Sequence, residues 1–465
     1  MNKRLFNYLN FLCLLMTLCL ATSVMAATQS TLSLKDFIEQ ASIKDVAFEA
    51  ILIDQLALQY RRDIFLPDGD VIMDVKYQYD FYLDQNRNNP EASLSLSKLF
   101  PYNGTELSLS YGKSSSVFSN SEDASLELLI SQPIGNNAFG KSTQLQDKII
   151  GIENDISRYQ IVEAYEDYLA SLTAVYYNWY SAYENLRVGE LSYRSNQKLM
   201  ENILDRQRQK IALPIDVNKM KLLIIGKQEN VIVLQEIYDS YANLISKAIN
   251  NKDNISYIPT KPEPPAALQN FKQDYDAFIE KSRTYKVFNM LEQQGGLEVK
   301  RIADDLLPST RLLLGYQLEG QDWGIEASNN NLFAGISLRW PIGKSVDKAK
   351  KQVAQIEHKK TILSNKNKYA ELRINLKNLF IQVQREKNLL EVAKQKIKLS
   401  ESVLKDEAEN YSYGKVTLND YISAVNRVDE NQFSYTDHSV QLNKLLIEWL
   451  RLTDQLVNEK QLINQ

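Results

Sequence analysis

Cysteine and histidine are scarce in this sequence. Its 465 residues include two cysteines, Cys13 and Cys19, and two histidines, His358 and His438. Because both cysteines lie near the N-terminus, the rest of the chain offers no disulfide and no thiolate metal site. The sequence also lacks a glycine-rich phosphate loop and a dense cluster of acidic residues with histidine. We therefore expect a protein that is not an enzyme and that holds no cofactor or metal.

Glycine, proline and excess charge are also limited. The 16 Gly and 11 Pro are few for this length, which favours long regular elements. The formal net charge of −4 is close to balanced, so the chain lacks the basic surface of a nucleic-acid-binding protein. A hydrophobic content of 44% is enough for a substantial core.

Long apolar runs are confined to the N-terminus. Lys3 and Arg4 precede the run "LFNYLNFLCLLMTLCLATSV", and small residues stand at Val24 and Ala26. This pattern predicts a secretory signal peptide over residues 1–26, and a membrane anchor is the alternative. No later segment approaches 18 consecutive apolar residues. If the exported chain crosses a membrane, we expect it to do so as strands of a closed β-barrel.

Two halves of the chain repeat one order of elements. The junctions "SQPIGNNAFGKS" and "RWPIGKSVDKAK" place Pro133 and Pro341 208 residues apart, and two later aspartates are 204 residues apart. The first predicted repeat, residues 27–256, has a helix, strands over 71–132 and a long helical hairpin over 143–250. A Pro-rich linker, 257–268, precedes the second repeat, 269–465, which has a helix, strands over 310–340 and a long helical hairpin over 344–455.

Apolar and polar residues alternate in six segments, which is typical of strands with one apolar face. Soluble sandwiches and transmembrane barrels both have this pattern. Six strands are too few for a pore made by one chain, since single-chain barrels start at about eight strands. The segments are 71–83, 92–100, 105–112, 124–131, 310–320 and 332–340.

The helical segments carry apolar residues at alternating spacings of three and four, which is the seam of a coiled coil. Neither Gly nor Pro occurs between Gly343 and Gly414. At about 1.5 Å per residue, this stretch predicts a rod on the order of 100 Å long.

Each long helix is predicted to end in a tight reversal. In "YSYGKVTLND", Gly414 is suited to the left-handed residue that ends a helix. Thr417 and Asp420 then form a capping box that begins the next helix. In "KIALPID", Pro214 suits the first position of a helix and Asp216 lies in its first turn.

The repeated order of strands, "PIG" junction, long helix and reversal resembles the TolC-like outer membrane efflux protein family. "YSYGKVTLND" is similar to the family pattern Y-x-x-G-x-x-[ST]-x-x-D. The resemblance implies an internally duplicated α+β membrane protein that forms a homotrimer. Long antiparallel coiled-coil helices would form an α-barrel tunnel, and the three chains would share one transmembrane β-barrel.

The resemblance also implies a function. The trimer would be a passive exit duct of a tripartite efflux or type I secretion system, set in the outer membrane and extending into the periplasm. Its partners would be outer membrane lipid, a periplasmic adaptor (membrane fusion) protein and an inner-membrane pump of the RND or ABC type. The cargo would be small toxic molecules or polypeptides. A periplasmic coiled-coil adaptor or scaffold without a pore is the alternative.

The family pattern suggests roles for particular residues. Asp420 matches an acidic ring that faces the lumen, and Tyr411 matches a closed-state contact; helix capping and helix packing are the respective alternatives. Val416 and Ser423 stand where the family often has charged residues. The positions expected to dock the adaptor are Gly414, Lys415, Thr417, Leu213, Pro214 and Asp216. The strand-to-helix junctions are expected at Pro133, Gly135, Pro341 and Gly343.

The family also sets an expectation for the number of strands. The resemblance implies only four strands per chain in the shared barrel. The hairpin "ASLSLSKLFPYNGTELSLSYG" is therefore expected to be extra. Segments 71–83 and 124–132 are expected to join the barrel.

Overall fold

A computed structural model of the chain describes residues 30–82, 87–115, 122–251, 255–268, 270–321, 323–341, 343 and 345–457. The predicted signal peptide lies outside these residues. In the described part, the α-helices are α1 (Leu34–Lys44), α2 (Val46–Ala57), α3 (Arg61–Phe65), α4 (Lys141–Arg208), α5 (Pro214–Ala248), α6 (Phe271–Lys281), α7 (Arg283–Asp305), α8 (Ser345–Ser412) and α9 (Leu418–Leu452). None of these helices has both the length and the apolar content of a membrane span.

Eight strands occur in the same described ranges. They are β1 (Ser30–Leu32), β2 (Val71–Tyr82), β3 (Arg87–Phe100), β4 (Thr105–Ser115), β5 (Glu122–Pro133), β6 (Tyr257–Pro259), β7 (Ser309–Gln321) and β8 (Asn330–Arg339). The six predicted strand segments are therefore confirmed as strands.

The long helices come in pairs of equal length. Helices α4 and α8 have 68 residues each, and α5 and α9 have 35 each. Helix α8 contains neither Gly nor Pro, so its backbone hydrogen-bond ladder meets no breaker. The equal lengths agree with an internal duplication, which remains a prediction.

The segments before each strand set differ from the prediction of single helices. The first segment is divided into α1, α2 and α3, and the second into α6 and α7. The second break occurs at Ser282, whose extended backbone ends one helix while its hydroxyl accepts the Tyr285 N–H and begins the next.

The chain forms two compact units, each drawn from both halves of the sequence. The described residues of the first unit are those up to Glu49 and those within Tyr165–Phe271 and Lys377–Leu456. Its core includes Phe37, Tyr176 and Trp179, all at most 1% exposed. Strands β1 and β6 pair in parallel beside this core, and the Tyr176 hydroxyl lies 2.7 Å from the carbonyl oxygen of Leu32.

The described residues of the second unit are Val457 and those within Ala50–Ala164 and Lys272–Leu376. It contains one six-stranded sheet in the order β2-β3-β4-β5-β7-β8, with every neighbouring pair antiparallel. The sheet of the single chain therefore has six strands, whereas the resemblance implies four per chain in a shared barrel; the number of strands that join a barrel stays a prediction. The hairpin of β3 and β4 lies between β2 and β5 and pairs with both.

One face of the six-stranded sheet is apolar on every strand. The register aligns Val75 with Leu94, Leu94 with Tyr111 and Tyr111 with Leu126. Many of these side chains stay exposed to solvent in the single chain, although apolar side chains favour burial. Exposed members of this face are Met73, Val75, Tyr77, Leu94, Leu107, Leu109, Leu128, Ile130, Leu312, Leu314, Tyr316, Leu332, Ile336 and Leu338.

Candidate functional site: the two helix-reversal turns

The turn between α8 and α9 ends the first helix with a left-handed glycine. Gly414 has φ of +72°, as predicted, and its N–H donates to the Tyr411 carbonyl at 3.1 Å. The Lys415 N–H donates to the Asn410 carbonyl at 2.9 Å. These bonds satisfy carbonyl groups that the last helical turn would otherwise leave without partners.

The turn between α4 and α5 has the same backbone hydrogen bonds without a glycine. Lys210 takes the left-handed conformation, with φ of 61°, and its N–H donates to the Gln207 carbonyl at 2.9 Å. The Ile211 N–H donates to the Arg206 carbonyl at 2.8 Å. Sequence reasoning missed the role of Lys210, because lysine carries no preference for this conformation.

The helices that follow the two turns are capped differently. Thr417 accepts the Asp420 N–H on its hydroxyl oxygen at 3.3 Å, and the Thr417 N–H donates to the Asp420 carboxylate at 3.0 Å. This is the predicted capping box. At the other turn the Leu213 N–H donates to the Asp216 carboxylate at 3.1 Å, but leucine has no side-chain acceptor to return the bond. Pro214 stands at the start of α5 as predicted.

Asp420 is fully exposed and remains charged to low pH. The Thr417 hydroxyl, which lies 2.7 Å from the carboxylate, and the Thr417 N–H hold the pKa of Asp420 below its ordinary value of 3.8. The capping role of Asp420 is therefore observed, and a capping carboxylate still presents its negative charge to solvent. Its predicted role in a lumen ring is untested and stays a prediction.

Tyr411 packs between the two hairpins. Its ring stacks on Tyr421 with centroids 5.7 Å apart, and the Arg206 guanidinium lies 4.8 Å from its centroid. Arg206 Nη1 also lies 3.4 Å from the Ser412 carbonyl oxygen. Burial raises the pKa of Tyr411, and Arg206 opposes that shift. Packing of Tyr411 is therefore observed, and gating by it stays a prediction.

An apolar cluster joins the two turns beneath Tyr411. It includes Ile203 and Met220, which have no exposed surface, together with Leu199, Val217 and Leu418. Sequence reasoning did not identify Arg206 as the residue that packs on the Tyr411 ring, because the contact joins residues about 200 positions apart. The cluster brings all eight predicted tip residues onto one joined pair of hairpins, with Gly414, Lys415, Thr417, Asp420, Leu213 and Pro214 exposed.

The strand-to-helix junctions lie in the other unit and have a structural role. At the first junction, a Cβ on Gly135 would lie 2.0 Å from the Pro308 carbonyl oxygen, so only glycine fits there. Pro133 is the last residue of β5. At the second junction, Pro341 follows β8 and Gly343 has a φ of +97°.

A buried carboxylate that sequence reasoning missed holds the first junction. Asp304 is 3% exposed and accepts the Asn137 N–H at 2.8 Å. Its other oxygen lies 3.3 Å from Lys141 Nζ at the start of α4. The Asn137 side chain accepts the Ser142 N–H at 2.9 Å and so caps the same helix. The sequence signal was weak because Asp304 lies in an ordinary acidic helix end.

Several solved structures similar to the chain are outer membrane proteins. The chain is similar to the CmeC outer membrane channel of Campylobacter jejuni, at 12% identity and a TM-score of 0.67 over 93% of this chain and 88% of that one. It is similar to the outer membrane protein VceC of Vibrio cholerae, at 12% identity and a TM-score of 0.68 over 90% and 95%. It is also similar to the open MtrE outer membrane channel of Neisseria gonorrhoeae, at 12% identity and a TM-score of 0.66 over 94% of each chain.

These likenesses define the class of fold. The chain has a TolC-like fold, as its strands, junctions and reversals predict. No protein-family model matches the sequence, and a search of curated proteins gave no match.

The left-handed residues of the two turns form a matched pair for mutation. We expect Gly414→Ala to lower the free energy of unfolding of the hairpins by roughly 1 kcal/mol, because alanine is strained at this φ. A Cβ at Gly414 meets no atom within 4 Å, so the effect is one of backbone alone. We expect Lys210→Gly to raise the unfolding free energy by a similar amount. Chemical denaturation measures both changes in unfolding free energy. If the two variants changed it in the same direction, the assignment of left-handed backbones at Gly414 and Lys210 would be contradicted.

Proposed function

We propose that the chain is an outer membrane exit duct that works as a homotrimer. The observation that carries the proposal is the exposed apolar face of the six-stranded sheet in a chain with the fold of outer membrane channels. A soluble protein rarely leaves a contiguous apolar patch of this extent in water. A lipid bilayer would cover the apolar face, and the polar face would line a lumen.

The helices of the first unit support assembly from several copies. Helix α5 exposes Ile225 and Ile232, seven residues apart, and Leu222 is 73% exposed on the same helix. Helix α8 exposes Val392 and Leu399, again seven residues apart. A spacing of seven is the repeat with which one helix packs along another. We infer that neighbouring copies cover these stripes and so close a ring of helices, the predicted α-barrel tunnel.

The partners follow from the class of fold and remain proposals. A periplasmic adaptor would dock on the two helix-reversal turns, and an inner-membrane pump of the RND or ABC type would supply the energy. Small toxic molecules or polypeptides would pass through the duct, and this chain would perform no catalysis. The exposed residues Leu213 and Lys415 offer the adaptor an apolar and a basic contact.

The Asp420 side chain would give the duct its ion preference. Three copies would place three carboxylates in one ring, which attracts cations and repels anions. In the single chain the bonds from Thr417 lower the pKa of Asp420, which favours the charged form. In a ring of three carboxylates, repulsion between the like charges would act against this shift.

Two variants separate the charge of Asp420 from its capping role. Asp420→Asn keeps an acceptor for Thr417 but removes the charge, so we expect the ratio of cation to anion permeability in planar bilayers to fall toward 1. Thr417→Ala keeps the charge and removes a cap, so we expect an unchanged ratio and about 1 kcal/mol less stability. An unchanged ratio in Asp420→Asn would contradict the ring. A soluble periplasmic monomer that forms no channel would contradict the duct and favour the scaffold.

The turns are also tested as the docking site. We expect a photo-crosslinking residue at Lys415 or Leu213, introduced in living cells, to capture a periplasmic adaptor that mass spectrometry identifies. The same residue at Lys396, exposed on α8, is the control and should capture less of that adaptor. Capture that is equal at all three positions, or absent from both turns, would contradict docking at the turns.

A further inference from the structure

The six-stranded sheet has two long edges. In the part of the chain that the structure describes, β2 pairs with β3 alone and β8 pairs with β7 alone. Apolar side chains at these edges are the most exposed of the face: Val75 is 63% exposed and Leu332 is 72% exposed. Exposed edges of this length are templates for pairing with another strand.

The hairpin of β3 and β4 is an integral part of the sheet. Its register places Leu94 and Leu96 opposite Tyr111 and Leu109 on the apolar face. Ser95 and Ser110 face each other on the polar face. A shift of the register by one residue would move every side chain of a strand to the opposite face of the sheet. The matching alternation of the hairpin and of both neighbouring strands therefore indicates that the hairpin belongs to the wall.

Side-chain bonds tie the hairpin to strands of the second half. Arg311 on β7 lies 2.7 Å from the Glu106 carboxylate on β4 and donates to the Ser131 hydroxyl at 2.6 Å. These contacts cross β5 on the polar face. Farther along β4, the Tyr111 hydroxyl donates at 2.8 Å to the carbonyl of Trp323, which lies between β7 and β8. The hairpin is therefore bonded both to β7 and to the connection that follows it.

We propose that all six strands of each chain form the barrel wall, and that β8 of one copy pairs with β2 of the next copy. This proposal rests on the trimeric duct proposed above, and three chains then close a barrel of 18 strands. The partner strand at each edge belongs to a second copy of this chain. The apolar face continues to both edges, so the strand beyond each edge must also present an apolar face to the bilayer, as another copy of this sheet does.

The strand directions permit this closure. Six strands that alternate in direction leave β2 and β8 antiparallel to each other. When copies related by rotation meet edge to edge, β8 therefore runs antiparallel to β2 of its neighbour, as the pairs within the sheet do. An even number of strands in all is also what closed antiparallel barrels have.

The stagger of the sheet predicts one register for the new pair. Partners followed from Asp74 across the sheet lead to Ser95, Ser110, Glu127, Gln317 and Asn331. Within one chain, Asp74 is thus aligned with Asn331 of β8. If Asp74 of the neighbouring copy faces Arg339 instead, the alignment shifts by about eight residues, from 331 to 339, over six strand spacings. At about 3.3 Å per residue and 4.8 Å per strand, that shift corresponds to a strand tilt of roughly 43°. Barrel strands tilt by about 35–45°.

The same register matches charge and hydrophobicity between copies. Asp74 and Arg339 are both exposed and lie on the polar face, where they would form an ion pair. On the apolar face, the register places Val75 opposite Leu338 and Tyr77 opposite Ile336. A register shifted by one residue would instead place apolar side chains opposite polar ones.

The consequence is a wide outer opening. Barrel diameter grows nearly linearly with strand number, so 18 strands give a wall about 1.5 times as wide as the 12 that four strands per chain would give. Barrels of 16 to 18 strands leave an aqueous channel. The added hairpin would therefore enlarge the exit of the duct.

Cysteine cross-linking of the full chain tests the edge pairing. The variant Asp74→Cys, Arg339→Cys should form disulfides between copies under mild oxidant, giving covalent trimers in the membrane fraction. The variant Lys76→Cys, Ser337→Cys tests the next polar pair of the same register and keeps the ion pair. Gln78→Cys with Arg339→Cys is the control; its residues would be about 13 Å apart along the strand, so we expect at least about tenfold less product.

The alternative wall predicts a different bond. If β2 paired with β5 and the hairpin lay outside, Asp74→Cys with Glu127→Cys or Leu129→Cys would form a disulfide within one chain. Native mass spectrometry establishes the copy number first. Trimers that carry this internal bond, or neither bond, would overturn the 18-stranded wall while leaving the duct in place. Chains that never assemble would overturn the proposed duct itself, and the wall with it.

Discussion

An apolar face on an exposed sheet must be covered, and this requirement organises the molecule. Apolar side chains stand on one side of all six strands, and many of them remain exposed in a single chain. Burial is worth about 25 cal/mol for each Å² of apolar surface, so such a face is retained only where a bilayer or another chain covers it. The apolar residues exposed on α5 and α8 must likewise be covered, in their case by neighbouring helices. The assembly of several copies in a membrane that we propose would meet both demands at once.

The helix reversals were largely predictable because their chemistry is local. Gly414, Thr417 and Asp420 act within a few residues of one another, and each has a specific conformational or capping preference. Lys210 was not predictable, because the surrounding hairpin imposes its left-handed conformation against the preference of the residue. Arg206 and Asp304 act through contacts with distant parts of the chain, which composition and spacing do not reveal.

The strands show where the sequence pattern reaches its limit. Alternation identified all six segments, but it carries no information about which strands become neighbours. The expectation of four barrel strands therefore came from resemblance, whereas the sheet of the single chain also includes β3, paired with β2, and β4, paired with β5. Breaks within the helices before each strand set were missed for a related reason: Ser282 ends one helix and begins another through a bond that the apolar periodicity does not record.

The six-stranded wall is tested most directly by asking which side chains of the hairpin of β3 and β4 contact lipid. Spin labels placed singly at Leu107, Ser108, Leu109 and Ser110 of β4 would be measured in liposomes by their collision rates with oxygen and with a water-soluble nickel chelate. If the wall has six strands, we expect strict alternation, with labels at Leu107 and Leu109 accessible to oxygen and labels at Ser108 and Ser110 accessible to the chelate. Equal access of the chelate to all four labels would place β4 in water and contradict a lipid-facing sheet of six strands.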